Sequence, residues 1–550
     1  MNAYVLDTSQ EFGMIASTAR AQANHPFELQ EDDMPRTITV NLDALIPRAD
    51  FEIIESTSQS SPPPAIAIRD LEGDAFFFSG LRKPDFQRET VSWSPKKIHD
   101  FVKTFVDGDL IPALILWRSQ GTNFIIDGAH RLSALIAWVN DDYGDGELSR
   151  KFFTAVIEPQ QKKMAERTRA LINKNIGSYK DHQFAVKHPE KSKPDVVSRA
   201  LLFGQISIQL QWVSGDSKKA ESSFFKINQE AVPIDKTELR LLQARNKPNA
   251  MAARAIIRAG TGHKYWSKPG ISEDMKNMIE GLARQIYSNL FTPLLTVPIK
   301  TLDLPVAGQS YSSQTLPLIF ELVNITNEHL LQDIVDDTTG DETVQFLKNV
   351  RGVANRISST HPTSLGLHPV VYFYSSEGRF QPTSFLAVIS LLQSFEKEDL
   401  YRVFTDHRKD FEEFLVKYKD YSNQVIRKWG SGVKAFDKQK DLYRLILDKM
   451  IEGKSEAEIL KHLAGHDLFG FLAPIVSQKR SVSADFTPST RSEAFLRDAI
   501  DTPVRCGICQ ARLHIKSITT DHVLRKAEGG QGEVDNAQNA HPYCNTVYKH

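Results

Sequence analysis

Hydrophobic positions along the chain change period several times, and each change marks an element. Residues 37–53 (TITVNLDALIPRADFEI) alternate enough for a strand and a turn, and STSQSSPPP (56–64) reads as a linker. AIAIRDL and AFFFSGL follow as short strands rich in β-branched and aromatic residues. Ile98, Phe101, Val102 and Phe105 fall on one helical face behind Ser94-Pro95, a capping pair. ALILWR (113–118) and NFIID (123–127) read as strands turned at Gly121. Leu132, Leu135, Ile136 and Val139 then recur at helical spacing, so Gly128 to Arg131 lies where a strand feeds a helix.

From about 243 to 473 the helical period dominates. Met275, Met278, Ile279, Leu282 and Ile286 make one stripe, and LPLIFELVNITNEHLLQDI and TSFLAVISLLQSF repeat it. Ser455 and Glu458 have capping-box spacing. LHPVVYFY (367–374) reads as one buried strand, and the polar, breaker-rich 478–495 as a hinge. The expected order is an N-terminal arm with strands and linker (1–65), an α+β domain (66–242), a helical domain (243–475), a hinge (476–500) and a small terminal domain (501–550).

Composition adds limits. With 41% hydrophobic and 25% charged residues the chain is that of a globular protein, and no run of 18 apolar residues suggests a membrane span. The N-terminus has no signal-peptide pattern, so a cytoplasmic protein is expected. A net charge of −1 means that any nucleic-acid contact must be local. Residues 151–199, with 11 Lys/Arg against 5 Asp/Glu, could follow a phosphate backbone or simply form a solvated face.

All three cysteines lie in the last 45 positions. Cys506-x-x-Cys509 and His541-x-x-Cys544 have the spacing of a structural zinc site, with His514 a poorly spaced rival ligand. Asp521-His522, Gly529-Gly530, Asp535-Asn536 and Asn545 complete the run. Phosphodiester cleavage needs an activated water and a cation at the phosphate. A neutral His can take the proton, and an Asp can hold a divalent ion.

This ordered set resembles the HNH (ββα-metal) nucleases over nearly all of 505–549. The resemblance implies His522 as general base, Asp521 as ligand of a catalytic Mg²⁺ or Mn²⁺, and Asn536 as the brace of the metal loop. It implies Asn545, or alternatively His550, as second ligand. DNA is the implied substrate.

The second signal lies upstream. Backbone N–H groups at the Gly128 helix start favour an anion, and Arg131 can fork onto phosphate oxygens. The alternative is an ordinary cap with an Arg salt bridge. Gly-Ala-His-Arg-Leu-Ser-Ala (128–134), Phe86-Gln87-Arg88 with Trp93, and FFKINQEAVPIDKTELRLL (224–242) resemble the ParB/sulfiredoxin-like domains of GmrSD-type restriction proteins. That resemblance implies a nucleotide (NTP) or phosphate pocket lined by Arg88, Asp127, Gly128, His130 and Arg131, with Asn228 near it. The whole reads as a multidomain α+β DNA endonuclease gated by nucleotide or DNA sensing. It is expected to act in antiphage restriction of foreign or modified DNA, with homo-oligomers among its states. Rival readings are a ParB-like regulatory DNA-binding protein with a non-cleaving zinc module, and a mobile-element or repair nuclease with no NTP role.

Overall fold

The computed structural model describes residues 39–49, 61–85, 87, 89–119, 121–153, 157, 159–231, 236–310, 315–474 and 486–549, with side chains 228–231, 236 and 238 excepted. The architecture is α+β. Among the described residues the N-terminal half carries a mixed sheet in the order β1-β3-β5-β4-β6-β2. Its strands are β1 (Arg48–Ala49), β2 (Ala65–Ile66), β3 (Leu81–Pro84), β4 (Leu114–Ser119), β5 (Thr122–Asp127) and β6 (Ile208–Val213). β4 and β5 form the antiparallel hairpin that Gly121 turns, while β3 runs parallel to β5 and β6 parallel to β4.

Helices Pro95–Val106 and Ala129–Asn140 cover this sheet. Ile98, Val102, Phe105, Leu132, Leu135 and Ile136 pack in one core with Leu114, Leu116 and Ile125. Ser94 caps the first helix by accepting from the Lys97 N–H at 3.2 Å. Gly128 starts the second helix at φ +96°, and a Cβ there would stand 2.4 Å from Leu114 Cδ2, so only glycine fits.

Two predicted strands are not strands. AFFFSGL turns as a short helix over Phe76–Ser79 before β3, leaving Phe76 in solvent and Phe78 buried. LHPVVYFY is buried, but Pro369 opens a single helical turn over Pro369–Tyr372, because a short apolar run does not itself choose between periods. AIAIRDL gives only β2 before a 3₁₀ turn at Ile68–Leu71.

Between 248 and 464 long helices pack around a continuous core, among them Pro248–Ile257, Glu273–Phe291, Asp341–Ile357, Pro382–Glu398, Tyr401–Lys417 and Phe436–Ile451. Ser455 and Glu458 form the reciprocal capping box. Of the stretch read as a hinge, 475–485 lies outside the described residues, and Pro488–Ala499 is a helix. Leu496 of that helix is buried in the helical core, and its Ser492 Oγ accepts from the Ile299 N–H at 3.0 Å.

The last 50 residues pack on the helical core through a buried ion pair. Arg408 Nε donates to Glu412 Oε1 at 2.8 Å, both side chains being essentially inaccessible, and the Arg512 backbone N–H donates to Glu412 Oε2 at 3.1 Å. Glu412→Ala would leave the Arg408 guanidinium buried without its partner. We expect a loss of about 3–5 kcal/mol, seen as a lowered midpoint in chemical denaturation. An unchanged midpoint would mean that the backbone carbonyls around Arg408 suffice.

Candidate active site and metal centre

The terminal domain is a hairpin and a helical turn. β7 (Thr519–His522) pairs antiparallel with β8 (Ala537–Ala540), setting Asp521 opposite Gln538 and His522 opposite Ala537. The chain then enters a π-helical turn over Cys544–Tyr548.

At the base of this unit Cys506, Cys509, His541 and Cys544 bring their ligand atoms within 4.8 Å of one another. The knuckle closes because the Cys506 N–H donates to the Ala511 carbonyl (2.9 Å) and the Gly507 N–H to that of Asn539 (2.8 Å). His541 Nδ1 stands 3.4 Å from Cys509 Sγ and 3.7 Å from Cys544 Sγ. Tetrahedral zinc with bonds of about 2.3 Å to sulfur and about 2.0 Å to nitrogen sets such edges near 3.5 Å, so the residues fit the ion. His541 Nε2 lies 3.1 Å from the Arg512 carbonyl, which fixes the ring with Nδ1 toward the thiols. Burial lowers the His541 pKa, keeping the ring neutral as a ligand must be. His514 takes no part: its Nδ1 is 3.0 Å from Ser358 Oγ, and burial pushes its pKa down to about 4.

The chemical face lies on β7. Asp521 is buried and His522 half-exposed. Asp521 Oδ2 accepts from Gln538 Nε2 and from Lys549 Nζ, each at 2.8 Å, and Lys549 also reaches the His522 carbonyl. A cation therefore already stands at this carboxylate, as expected where a divalent ion is to bind. Asn536 closes the loop after β7: its Oδ1 accepts from the Leu524 N–H (2.7 Å), and its Nδ2 donates to the carbonyls of Leu524 (3.1 Å) and Gln531 (2.8 Å). Gly530 lets that loop close, since a Cβ would fall 1.9 Å from the Leu524 carbonyl oxygen. Asn545 Nδ2 reaches Thr519 Oγ1 (3.3 Å) and the Thr520 carbonyl (3.4 Å), tying the terminal turn to β7. His550 lies outside the described residues. Sequence reasoning missed Lys549 and Gln538. Lys549 stands four residues after Asn545, and Gln538 faces Asp521 across the hairpin. Those two relations were the signals available.

In the N-terminal half the predicted pocket residues adopt a closed arrangement. Arg131 Nη2 bonds Asp127 Oδ2 at 2.5 Å, and its Nη1 donates to the carbonyls of Pro112 (2.6 Å) and Ala113 (3.2 Å). This is the helix cap with a salt bridge named above as the alternative. His130 Nε2 sits 2.7 Å from Ser92 Oγ, and its ring stacks on Trp93 at 5.8 Å. Arg88 and the Asn228 side chain lie outside the described residues. The basic helix Pro159–Asn175 exposes Lys162, Lys163, Arg167 and Lys174, while its Arg169 is bound to Asp141 and Asp145.

The geometry of the thiol cluster predicts one tightly bound zinc per chain by elemental analysis. Cys509→Ser should lose the metal and lower the melting temperature. Active protein without zinc would refute the structural site.

Comparison with known proteins agrees with this division. Residues 72–244 match the family described as GmrSD restriction endonuclease, N-terminal domain, and residues 506–550 match HNH endonuclease. No curated protein and no solved structure matches the chain. Among the described residues no helix is long and apolar enough to cross a membrane. The chain thus joins a GmrSD-type N-terminal domain to a C-terminal HNH endonuclease domain.

Proposed function

We propose that this protein is a metal-dependent DNA endonuclease that restricts foreign or modified DNA in antiphage defence, with cutting gated by ligand sensing in its N-terminal half. The observation that carries the reading is the HNH unit: a thiol–imidazole cluster at its base and Asp521, His522, Asn536 and Asn545 gathered on and around one hairpin.

Each residue has a task. His522, half-exposed at the end of β7, takes the proton from the attacking water as general base. Asp521, with Asn545 or His550, would hold Mg²⁺ or Mn²⁺, which supplies charge for the scissile phosphate and the leaving oxygen. Asn536 keeps the loop closed so that β7 presents both groups in fixed register. Lys549 neutralises Asp521 until DNA and cation arrive.

The 45-residue HNH match offers little surface for base readout, which supports recognition elsewhere in the chain. A matching domain of a restriction endonuclease over 72–244 supports the N-terminal half for that role.

His522→Ala should reduce plasmid cutting by about 10²–10⁴-fold, with zinc content and melting temperature unchanged. Full activity in that variant would reject His522 as the base. Matched plasmids with glucosylated, methylated, phosphorothioated or unmodified DNA should be cut at different rates. Equal rates on all four would leave a plain nuclease without sensing.

A further inference from the structure

Helix Pro248–Ile257 lies beside the N-terminal sheet domain, and between them opens a cavity of about 1030 Å³. One wall is apolar, with Phe152, Phe153, Leu241 and Leu242. The opposite wall is charged. Asp43 binds Arg48 (2.5 Å) and Lys83 (2.7 Å), and Glu89 binds Arg258 (2.6 Å) and Arg48 (3.1 Å). Arg254, 1% exposed, lies 4.0 Å over the Tyr265 ring, and its Nη1 reaches the Asp85 carbonyl at 3.5 Å. The Asp85 carboxylate belongs to Arg245.

Among the described residues this wall therefore sets four cations, Arg48, Lys83, Arg254 and Arg258, against two carboxylates. Three of its buried polar atoms find no hydrogen-bond partner: Arg254 Nε, Arg258 Nη1 and Gln87 Oε1. All three residues line the cavity. The local field is felt nearby, where burial and then Arg48, Arg258 and Arg254 push His263 down to about 3. Buried cations persist only where something compensates them, and guanidinium donors fork onto phosphate or carboxylate.

Charge and shape narrow the ligand. A surplus of two positive charges is matched by one phosphate monoester, which carries about −1.5 to −2, and not by the single charge of a DNA diester. The volume is at the upper end of small-molecule sites, roughly 300–1,000 Å³, and the apolar wall exceeds what a bare ion needs. We propose that this cavity binds a free phosphate monoester with an aromatic body, such as a nucleoside monophosphate, through Arg254 and Arg258. Its ring lies against Phe152, Phe153 and Leu241. The site deepens the reading of an N-terminal sensor and rests on it only for its consequence, control of cutting.

The test is calorimetric titration of the full chain with the four ribonucleoside 5′-monophosphates, inorganic phosphate and a 5′-hydroxyl single-stranded oligonucleotide. At least one monophosphate should bind, at least 10-fold more tightly than inorganic phosphate. Arg254→Gln, which removes the unpaired cation, and Val91→Trp, which fills the cavity from a half-buried position, should each weaken it at least 10-fold. Melting temperature and zinc content should stay the same. Equal binding of phosphate and monophosphates, unchanged affinity in both folded variants, or no monophosphate binding would each overturn the proposal. Oligonucleotide binding lost in the variants, without monophosphate binding, would also overturn it and give the cavity to DNA. Cutting of plasmid by the unaltered chain reports separately on the nuclease reading.

Discussion

The joint between the helical domain and the nuclease rests on one buried carboxylate. Glu412 accepts from Arg408 Nε, from the Arg512 N–H and from the Tyr372 hydroxyl, at 2.8, 3.1 and 3.2 Å. Arg408 continues to the carbonyls of Leu365 and Gly366, and the Arg512 guanidinium to Ile500 O (2.9 Å) and Glu413 (3.0 Å). The carbonyl of Arg512 then meets His541. A charge this deeply buried is tolerable only when every donor and acceptor is used. The same bonds that satisfy it set the orientation of a zinc ligand. The metal site and the docking surface are thus one network, and neither can shift without straining the other.

This network limits how cutting can be controlled. A nuclease tethered by a loose hinge could swing freely. Here the helix Pro488–Ala499 sits in the helical core, and Ser358, Ser364 and Ser517 cluster with His514 across the same seam. Release of the nuclease would expose Glu412, Arg408 and Arg512 to rearrangement together. A signal from the N-terminal half has a shorter route through the helices. Arg258 bonds Glu89 and Asp43 of the sheet domain, while neighbouring side chains on its own helix pack in the helical core. A ligand that binds two arrangements of that contact unequally shifts their populations, and nothing else about it can.

The sequence revealed whatever is local. Two short ligand pairs, the capping pair Ser94-Pro95, the capping box at Ser455 and the apolar stripe 275–286 all lie within a few turns or a few residues. Backbone geometry alone brings such residues together. Short apolar runs were ambiguous: aromatic residues favour strands, yet Phe76–Ser79 and Pro369–Tyr372 turn as helices because the chain changes direction there. The charged wall was invisible for another reason. Asp43, Arg48, Lys83, Glu89, Arg254 and Arg258 span more than 200 positions, and each alone resembles a surface charge. Only the fold shows that they share one buried site.

The contrast between two arginine settings decides where an anion is favoured. At the start of helix Ala129–Asn140 the dipole and free N–H groups invite one, and the motif places Arg131 there. Yet Arg131 already has a carboxylate and two carbonyls. To serve a phosphate it would exchange those contacts for new ones, so the gain is only the difference between two good sets of bonds, and Asp127 would repel the incoming charge. Arg254 has a distant carbonyl at 3.5 Å and an aromatic face, and its Nε is unpartnered. A phosphate there adds bonds without breaking any, and meets a surplus of positive charge. A sequence motif identifies residues able to bind phosphate, but the binding site is wherever such a residue still has donors to offer.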